Sequence, residues 1–213
     1  MRAHLVCVAC SFACGAFAQT VTLYENHFET NEIGKTPAEL LVLDGGFAVR
    51  AEHGNKFLEL PGSPLDSFAV QFGPAEAENV ALSARIKGTA KGRRYPTFGI
   101  GLNGAAGYKL QVSPAKKLLE IFQDQESKAV IPYQWNPEQW TRLRLQVRKA
   151  GDQQWTIEGK AWAESGTEPV RWMISVVVKE APATGKASVF GSPFSGTPIQ
   201  FDDFVVSAVK KQS

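Results

Sequence analysis

Apolar and polar residues alternate along most of this chain. The cleanest run is Thr141-Arg142-Leu143-Arg144-Leu145-Gln146-Val147-Arg148, where Leu143, Leu145 and Val147 share one face and Arg142, Arg144, Gln146 and Arg148 the other. A helix would turn by about 200° between successive members of that aliphatic set, so only a strand gathers them on one side. Tyr108-Lys109-Leu110-Gln111-Val112 repeats the pattern, with Tyr108, Leu110 and Val112 inward. Further strands are predicted over 46–52, 56–60, 68–72, 80–87, 98–102, 118–123, 129–133, 155–162, 170–178, 186–190 and 199–209. His53-Gly54-Asn55, Asn103 to Gly107 and Ala150-Gly151-Asp152 supply turns between them. Ser113-Pro114, Gly73-Pro74 and Ala181-Pro182 end strands by removing a backbone donor. Many short strands with almost no helix predict an all-β fold of two antiparallel sheets packed face to face.

The first residues break this pattern. Arg2 precedes an apolar stretch from Leu5 to Phe12 and a small-x-small triplet, Ala16-Phe17-Ala18. This layout predicts a signal peptide over 1–18, cleaved after Ala18, and a single domain over 19–213 exported to a periplasm or beyond the cell. The apolar stretch falls short of the roughly 20 residues that cross a bilayer, so no membrane span is expected. Cys7, Cys10 and Cys14 are the chain's 3 cysteines, and all lie in that segment. The exported protein would therefore have no disulfides, thiol catalysis or cysteine-ligated zinc. A net charge of +2 with no clustered basic face argues against a nucleic-acid partner.

Candidate chemistry is sparse. His27 and His53 lie far apart without metal-ligand spacing, and neither a Gly-x-Ser-x-Gly elbow nor a phosphate-cradling loop is present. Gly99 and Gly101 alternate with Phe98, Ile100 and Leu102, leaving one face of a strand bare for close packing or for a ligand.

Several segments in order resemble the concanavalin A-like lectin/glucanase jelly roll, the superfamily that includes laminin-G-like domains and laminarinase-type glycoside hydrolases. They are Tyr24 to Glu29, Ile33-Gly34-Lys35-Thr36-Pro37, Asp44 to Val49, Gly107-Tyr108-Lys109-Leu110, Trp140 to Leu145, and Gly196-Thr197-Pro198-Ile199-Gln200-Phe201-Asp202-Asp203-Phe204-Val205-Val206. The last looks like the closing strand that pairs beside the first. The resemblance implies a two-sheet antiparallel jelly-roll β-sandwich whose concave sheet often holds carbohydrate.

It also implies sites to look for. Some members hydrolyse glycans with carboxylates spaced Glu-x-Asp-x-Glu on one strand; here Glu120, Phe122 and Asp124 take those positions, and Phe122 breaks the triplet. Some hold a structural calcium, for which the matching positions are the carbonyls of His27 and of Gly45 or Gly46 and the carboxylate of Asp203. The simpler reading is that Asp202 faces solvent while Asp203 accepts backbone hydrogen bonds that fasten the termini. Trp162, Arg144, Gln111 and Tyr95 form the expected sugar-binding face, with the ring for stacking and the polar groups for hydroxyls. The expected function is an exported, non-catalytic carbohydrate-binding module with a polysaccharide or glycan partner. The alternatives are an envelope structural or protein-interaction domain, and a hydrolase with carboxylates on separate strands.

Overall fold

The computed structural model describes residues 21–210; the predicted signal peptide lies outside the described residues. Fifteen strands and no α-helix make up the described chain, and no helix is long and apolar enough to cross a membrane. In chain order the first eight are β1 (Thr22–Asn26), β2 (Leu41–Asp44), β3 (Ala48–Glu52), β4 (Asn55–Leu60), β5 (Phe68–Glu76), β6 (Val80–Lys87), β7 (Thr97–Leu102) and β8 (Tyr108–Ser113). The remainder are β9 (Leu118–Gln123), β10 (Glu126–Pro132), β11 (Thr141–Gly151), β12 (Gln154–Ala163), β13 (Ile174–Val178), β14 (Gly185–Ser192) and β15 (Ile199–Ala208).

They form two antiparallel sheets. The first runs β13-β12-β11-β6-β15-β4-β3, with β1 also paired to β15, and the second runs β10-β9-β8-β7-β14-β5-β2. The pairing of β1 with β15 is the closing-strand arrangement the resemblance implies.

Period-two alternation fills the space between the sheets. Leu143, Leu145 and Val147 of β11 point inward and are buried, as are Tyr108, Leu110 and Val112 of β8 on the facing sheet. Gly159 of β12 faces the same core. A Cβ there would come within 2.5 Å of Leu110 Cδ1, so the missing side chain lets the leucine seat.

β5 runs on through Gly73 and Pro74 to Glu76 instead of stopping before them, β10 starts at Glu126 rather than Ala129, and β1 and β2 are strands the alternation does not predict. Three further differences follow. β13 starts at Ile174 rather than Val170, and Val170 is 96% exposed in the preceding connection. Pro169 lacks a donor for a ladder, and Trp172 lies 4.6 Å from Lys160 Nζ and 6.0 Å from Arg144 Cζ, ring centroid to cation. The run from Asp44 to Val49 is split, because Gly45 (φ 106°) turns the chain between β2 and β3. The third difference is a bulge. Asp202 pairs with Arg85 and Val205 with Ser83, so β15 carries one residue more than β6 between these pairs. Asp203 is the residue with positive φ there, 54°.

Candidate functional site

Each outer face of the sandwich carries the polar phase of its strands, and the second sheet's outer face holds a groove. With Tyr108, Leu110 and Val112 inward, β8 presents Lys109 and Gln111 outward. By the same alternation β9 presents Glu120 and Phe122, β14 Ser188, Phe190 and Ser192, and β5 Ala69 and Gln71. Strand register aligns them. Phe122, Lys109, Gly101, Ser188 and Gln71 form one row across the sheet, and Glu120, Gln111, Gly99, Phe190 and Ala69 form the next.

The strand in the middle of both rows is β7, and both of its outer positions are glycine. Neighbouring side chains lie across these bare positions, the Phe190 ring over Gly99 and Ser188 Oγ over Gly101, and the groove opens around them. The groove has a volume of about 430 Å³ and extends to Leu43 at one side and to Asp124 and Gln125 at the other. The ring of Phe190 leans over Gly99, where an added Cβ would lie 2.5 Å from its Cζ. Lys109 Nζ sits 5.9 Å from the centroid of the same ring, within range of a cation–π contact.

A hydrogen-bond chain fixes one wall. Ser113 Oγ donates to Glu120 Oε2 at 2.6 Å, and Gln111 Nε2 donates to Ser113 Oγ at 2.9 Å. As a carboxylate Glu120 only accepts, so the single hydroxyl proton of Ser113 points to it and the amide nitrogen of Gln111 must face Ser113. The carbonyl oxygen of Gln111 is thereby left as the acceptor for a partner in the groove. The rings of Phe122 and Phe190, the amides of Gln71 and Gln111, the hydroxyls of Ser188 and Ser192 and the Lys109 ammonium together suit an amphipathic, hydroxyl-rich ligand.

The same strand does not supply a hydrolytic pair. Glu120 is 5% exposed and engaged by Ser113, with Lys116 Nζ 3.8 Å from its other oxygen. Asp124 stands four residues on, about 13 Å along an extended strand. Retaining and inverting glycosidases need roughly 5–5.5 Å and 6.5–9.5 Å.

The first sheet's outer face is built differently, around ion pairs. Arg85 Nη2 meets Asp202 Oδ2 at 2.7 Å and its Nη1 meets Glu164 Oε2 at 3.0 Å, while Arg142 Nη2 contacts Glu164 at 2.6 Å and Asp203 at 3.0 Å. Trp140 lies beneath the Arg85 guanidinium at 4.7 Å.

The structure therefore separates the four residues predicted as one sugar face. Gln111 lines the groove. Arg144 and Trp162 lie on the opposite sheet, where they share a recess of only about 110 Å³ with Glu168. Tyr95, between β6 and β7, packs against the core. Trp162 was correctly placed in the polar phase of β12, but phase does not say which sheet a strand joins. Of the groove's own aromatics, Phe122 stands out in the sequence only as the break in the carboxylate triplet, and Phe190 not at all. The signal that could have found them is the bare face of Gly99 and Gly101, with polar-phase rings on the strands around it.

The predicted calcium ligands do not form a cage. Asp203 Oδ1 takes His27 Nδ1 at 2.8 Å, and its Oδ2 lies 3.0 Å from Arg142 Nη2 and 3.3 Å from Arg85 Nε. Two guanidinium groups already occupy the place of a cation. Gly45 lies instead against Phe68 and Phe47, and Lys56 Nζ takes the carbonyls of Glu29 and Asn31. Among the described residues, no three histidine, cysteine or acidic side chains gather as metal ligands. This donor set does not fit calcium. Asp203 fastens the first and last strands as expected, but through the side chains of His27 and Arg142 rather than backbone bonds, while Asp202 does not face solvent. Asp202 is the buried one, because the bulge turns both carboxylates to the same outer face and puts Asp202 beneath Arg85 and Asn55.

No protein-family model and no curated protein matches the chain. Solved structures do. A Bacillus subtilis protein of unknown function with a galectin-like fold superposes with a TM-score of 0.64 at 9% identity, over 90% of this chain and 98% of that one. The carbohydrate-binding module CBM66 from Bacillus subtilis gives 0.55 at 10% identity, over 80% and 96%. The catalytic domain of a glycoside hydrolase family 131 protein from Coprinopsis cinerea gives 0.54 at 7% identity, over 90% and 98%. With its two antiparallel sheets and its paired first and last strands, the chain has the concanavalin A-like jelly-roll fold.

Proposed function

We propose that this protein is an exported, non-catalytic carbohydrate-binding module whose ligand lies in the groove on the outer face of the second sheet. The observation that carries this reading is the groove lined by Lys109 and Gln111 of β8 and Phe122 of β9 on one side and by Ser188, Phe190 and Ser192 of β14 on the other. A ring of Phe190's exposure stacks on the apolar face of a sugar, while amide, hydroxyl and ammonium groups around it meet hydroxyls. Proteins of the same fold include one named as a carbohydrate-binding module and one named as a glycoside hydrolase catalytic domain. The burial of Glu120 and the intrusion of Phe122 favour the binding role over hydrolysis. Export rests on the signal-peptide pattern of residues 1–18.

Retention of the purified protein on a panel of soluble and insoluble polysaccharides tests the reading. Binding is expected to be lost with Phe190→Ala and kept with Trp162→Ala, which lies on the other sheet. Binding that follows Trp162 and ignores Phe190 would move the site to the first sheet.

A further inference from the structure

The groove contains an ammonium that the protein leaves without an oxygen partner. Seven lysines lie on strands, and six of them place Nζ against oxygen. Lys56 takes the carbonyls of Glu29 and Asn31, and Lys186 that of Gly73. Lys87 meets Glu52, Lys128 meets Glu126, Lys149 meets Glu78 and Lys160 meets Glu168. Lys109 alone among these has only a ring, Phe190, at 5.9 Å.

Its cross-strand neighbours offer it no oxygen. The cross-strand neighbours of Lys109 are Phe122 and Gly101, neither of them charged or hydrogen-bonding at the side chain. Gln111, next on the same face, has its amide nitrogen committed to Ser113. Glu120 is held by Ser113 and by Lys116. Asp124 lines the groove from the β9–β10 turn but makes no ion pair with Lys109, although both side chains reach the same space. The Lys109 side chain is half-buried, and the three donors of an ammonium are best met by an anionic oxygen. Charge-assisted bonds of that kind are roughly twice as strong as neutral ones.

We propose that the groove selects an anionic glycan, one bearing a carboxylate or sulfate that docks on Lys109 Nζ while the sugar ring packs on Phe190. This rests on the groove being the carbohydrate site and adds the class of sugar it takes. Phe122 and Phe190 flank the ammonium within the two rows, so a ring on either side can carry its charged substituent to the centre.

The test is titration calorimetry with polygalacturonate and its carboxyl-reduced form, and with a sulfated galactan and its desulfated form, each at low and at raised salt. One of the two charged polymers is expected to bind about tenfold or more tightly than its neutral counterpart, with the advantage shrinking as salt rises. Which pair shows it tells carboxylate from sulfate. Lys109→Gln should abolish the advantage of the charged form over its neutral counterpart, and Lys109→Arg should keep it. Equal affinity for charged and neutral forms, or an advantage that survives Lys109→Gln, overturns the anionic selection and leaves the groove standing. Failure to bind any of the four polymers overturns both, as does binding that Phe190→Ala does not weaken.

Discussion

Arg85 and Asp202 face each other across the β6–β15 ladder, with Nη2 2.7 Å from Oδ2 and the carboxylate 1% exposed. The bulge that follows Asp202 brings Asp203 to the same guanidinium, and Asn55 closes the remaining side through Nδ2 at 2.9 Å from Asp202. The consecutive aspartates thus serve one arginine, and Arg142 and His27 tie in the outer one. This ties β1, β6, β11 and β15 together on one face.

Removing the cation should expose the cost of the buried anion. Arg85→Met keeps most of the side-chain bulk over Trp140 but leaves Asp202 charged, with Asn55 as its only side-chain partner. Urea denaturation should show a loss of about 3–5 kcal/mol, the range for breaking one half of a buried pair. Adding Asp202→Asn to that variant should recover part of the loss. A loss under about 1 kcal/mol in the single variant would mean that the pair is bystander to the packing around it.

The two aspartates titrate in opposite senses. Burial pushes Asp202 above the ordinary carboxyl range, and the bonds from Asn55, Arg85 and the Asp203 backbone only partly offset it. Burial pushes Asp203 up as well, but the hydrogen bond from His27 and the charges of Arg85 and Arg142 outweigh it and hold the group low. A carboxyl held low in the folded state binds protons less readily there than in the unfolded chain. Its stabilisation is complete above the unfolded value of about 3.9 and lost as pH falls through the lower folded value. Asp203→Asn removes this titration and keeps a residue type that accepts the left-handed backbone at φ 54°. The wild type should be more stable than the variant at neutral pH, with the gap closing below about pH 4. A gap of constant size from neutral to acid would show that the carboxylate charge of Asp203 contributes nothing.

The core side of the sandwich makes a simpler claim. Leu145 is fully buried on β11 beneath the second sheet, so Leu145→Ala removes methyl groups and leaves a void. Chemical denaturation should register a loss of about 2–5 kcal/mol. A much smaller value would require the sheets to close over the gap.

Alternation made the strands legible because their aliphatic sets are clean: Leu143, Leu145 and Val147 on β11, Tyr108, Leu110 and Val112 on β8. Edge strands were harder. β1 and β2 carry mostly exposed side chains, so Thr22 to Asn26 has no buried set to announce it, and residues 170–173 read as the start of β13 because Val170 and Trp172 are large and apolar. The site was least legible. Gln111 lines the groove, but joining it to Arg144 and Trp162 required knowing sheet membership, which the passage of the chain from β10 in one sheet to β11 in the other decides and local pattern does not. The bulge at Asp202-Asp203 is invisible to a period-two rule, which puts adjacent residues on opposite faces; hence the expectation that Asp202 faces solvent, where the structure buries it.

The remaining prediction concerns the wall of the groove. Glu120 acts on a ligand only through Ser113 and Gln111, by fixing which end of the Gln111 amide faces outward. Glu120→Gln keeps the size but can donate as well as accept, so Ser113 is no longer forced to give its proton in that direction and the Gln111 amide can reverse. Affinity for the retained polysaccharide should fall by up to about tenfold, the worth of one ordinary hydrogen bond. The melting midpoint should move little, since Ser113 still finds an acceptor in the new side chain. A purely structural role for Glu120 predicts the reverse, a lowered midpoint with unchanged affinity. Glu120→Asp separates the two further: it keeps an acceptor-only carboxylate but shortens its reach to Ser113, so affinity should fall there as well, and unchanged affinity in both variants would leave Gln111 oriented by something other than this chain.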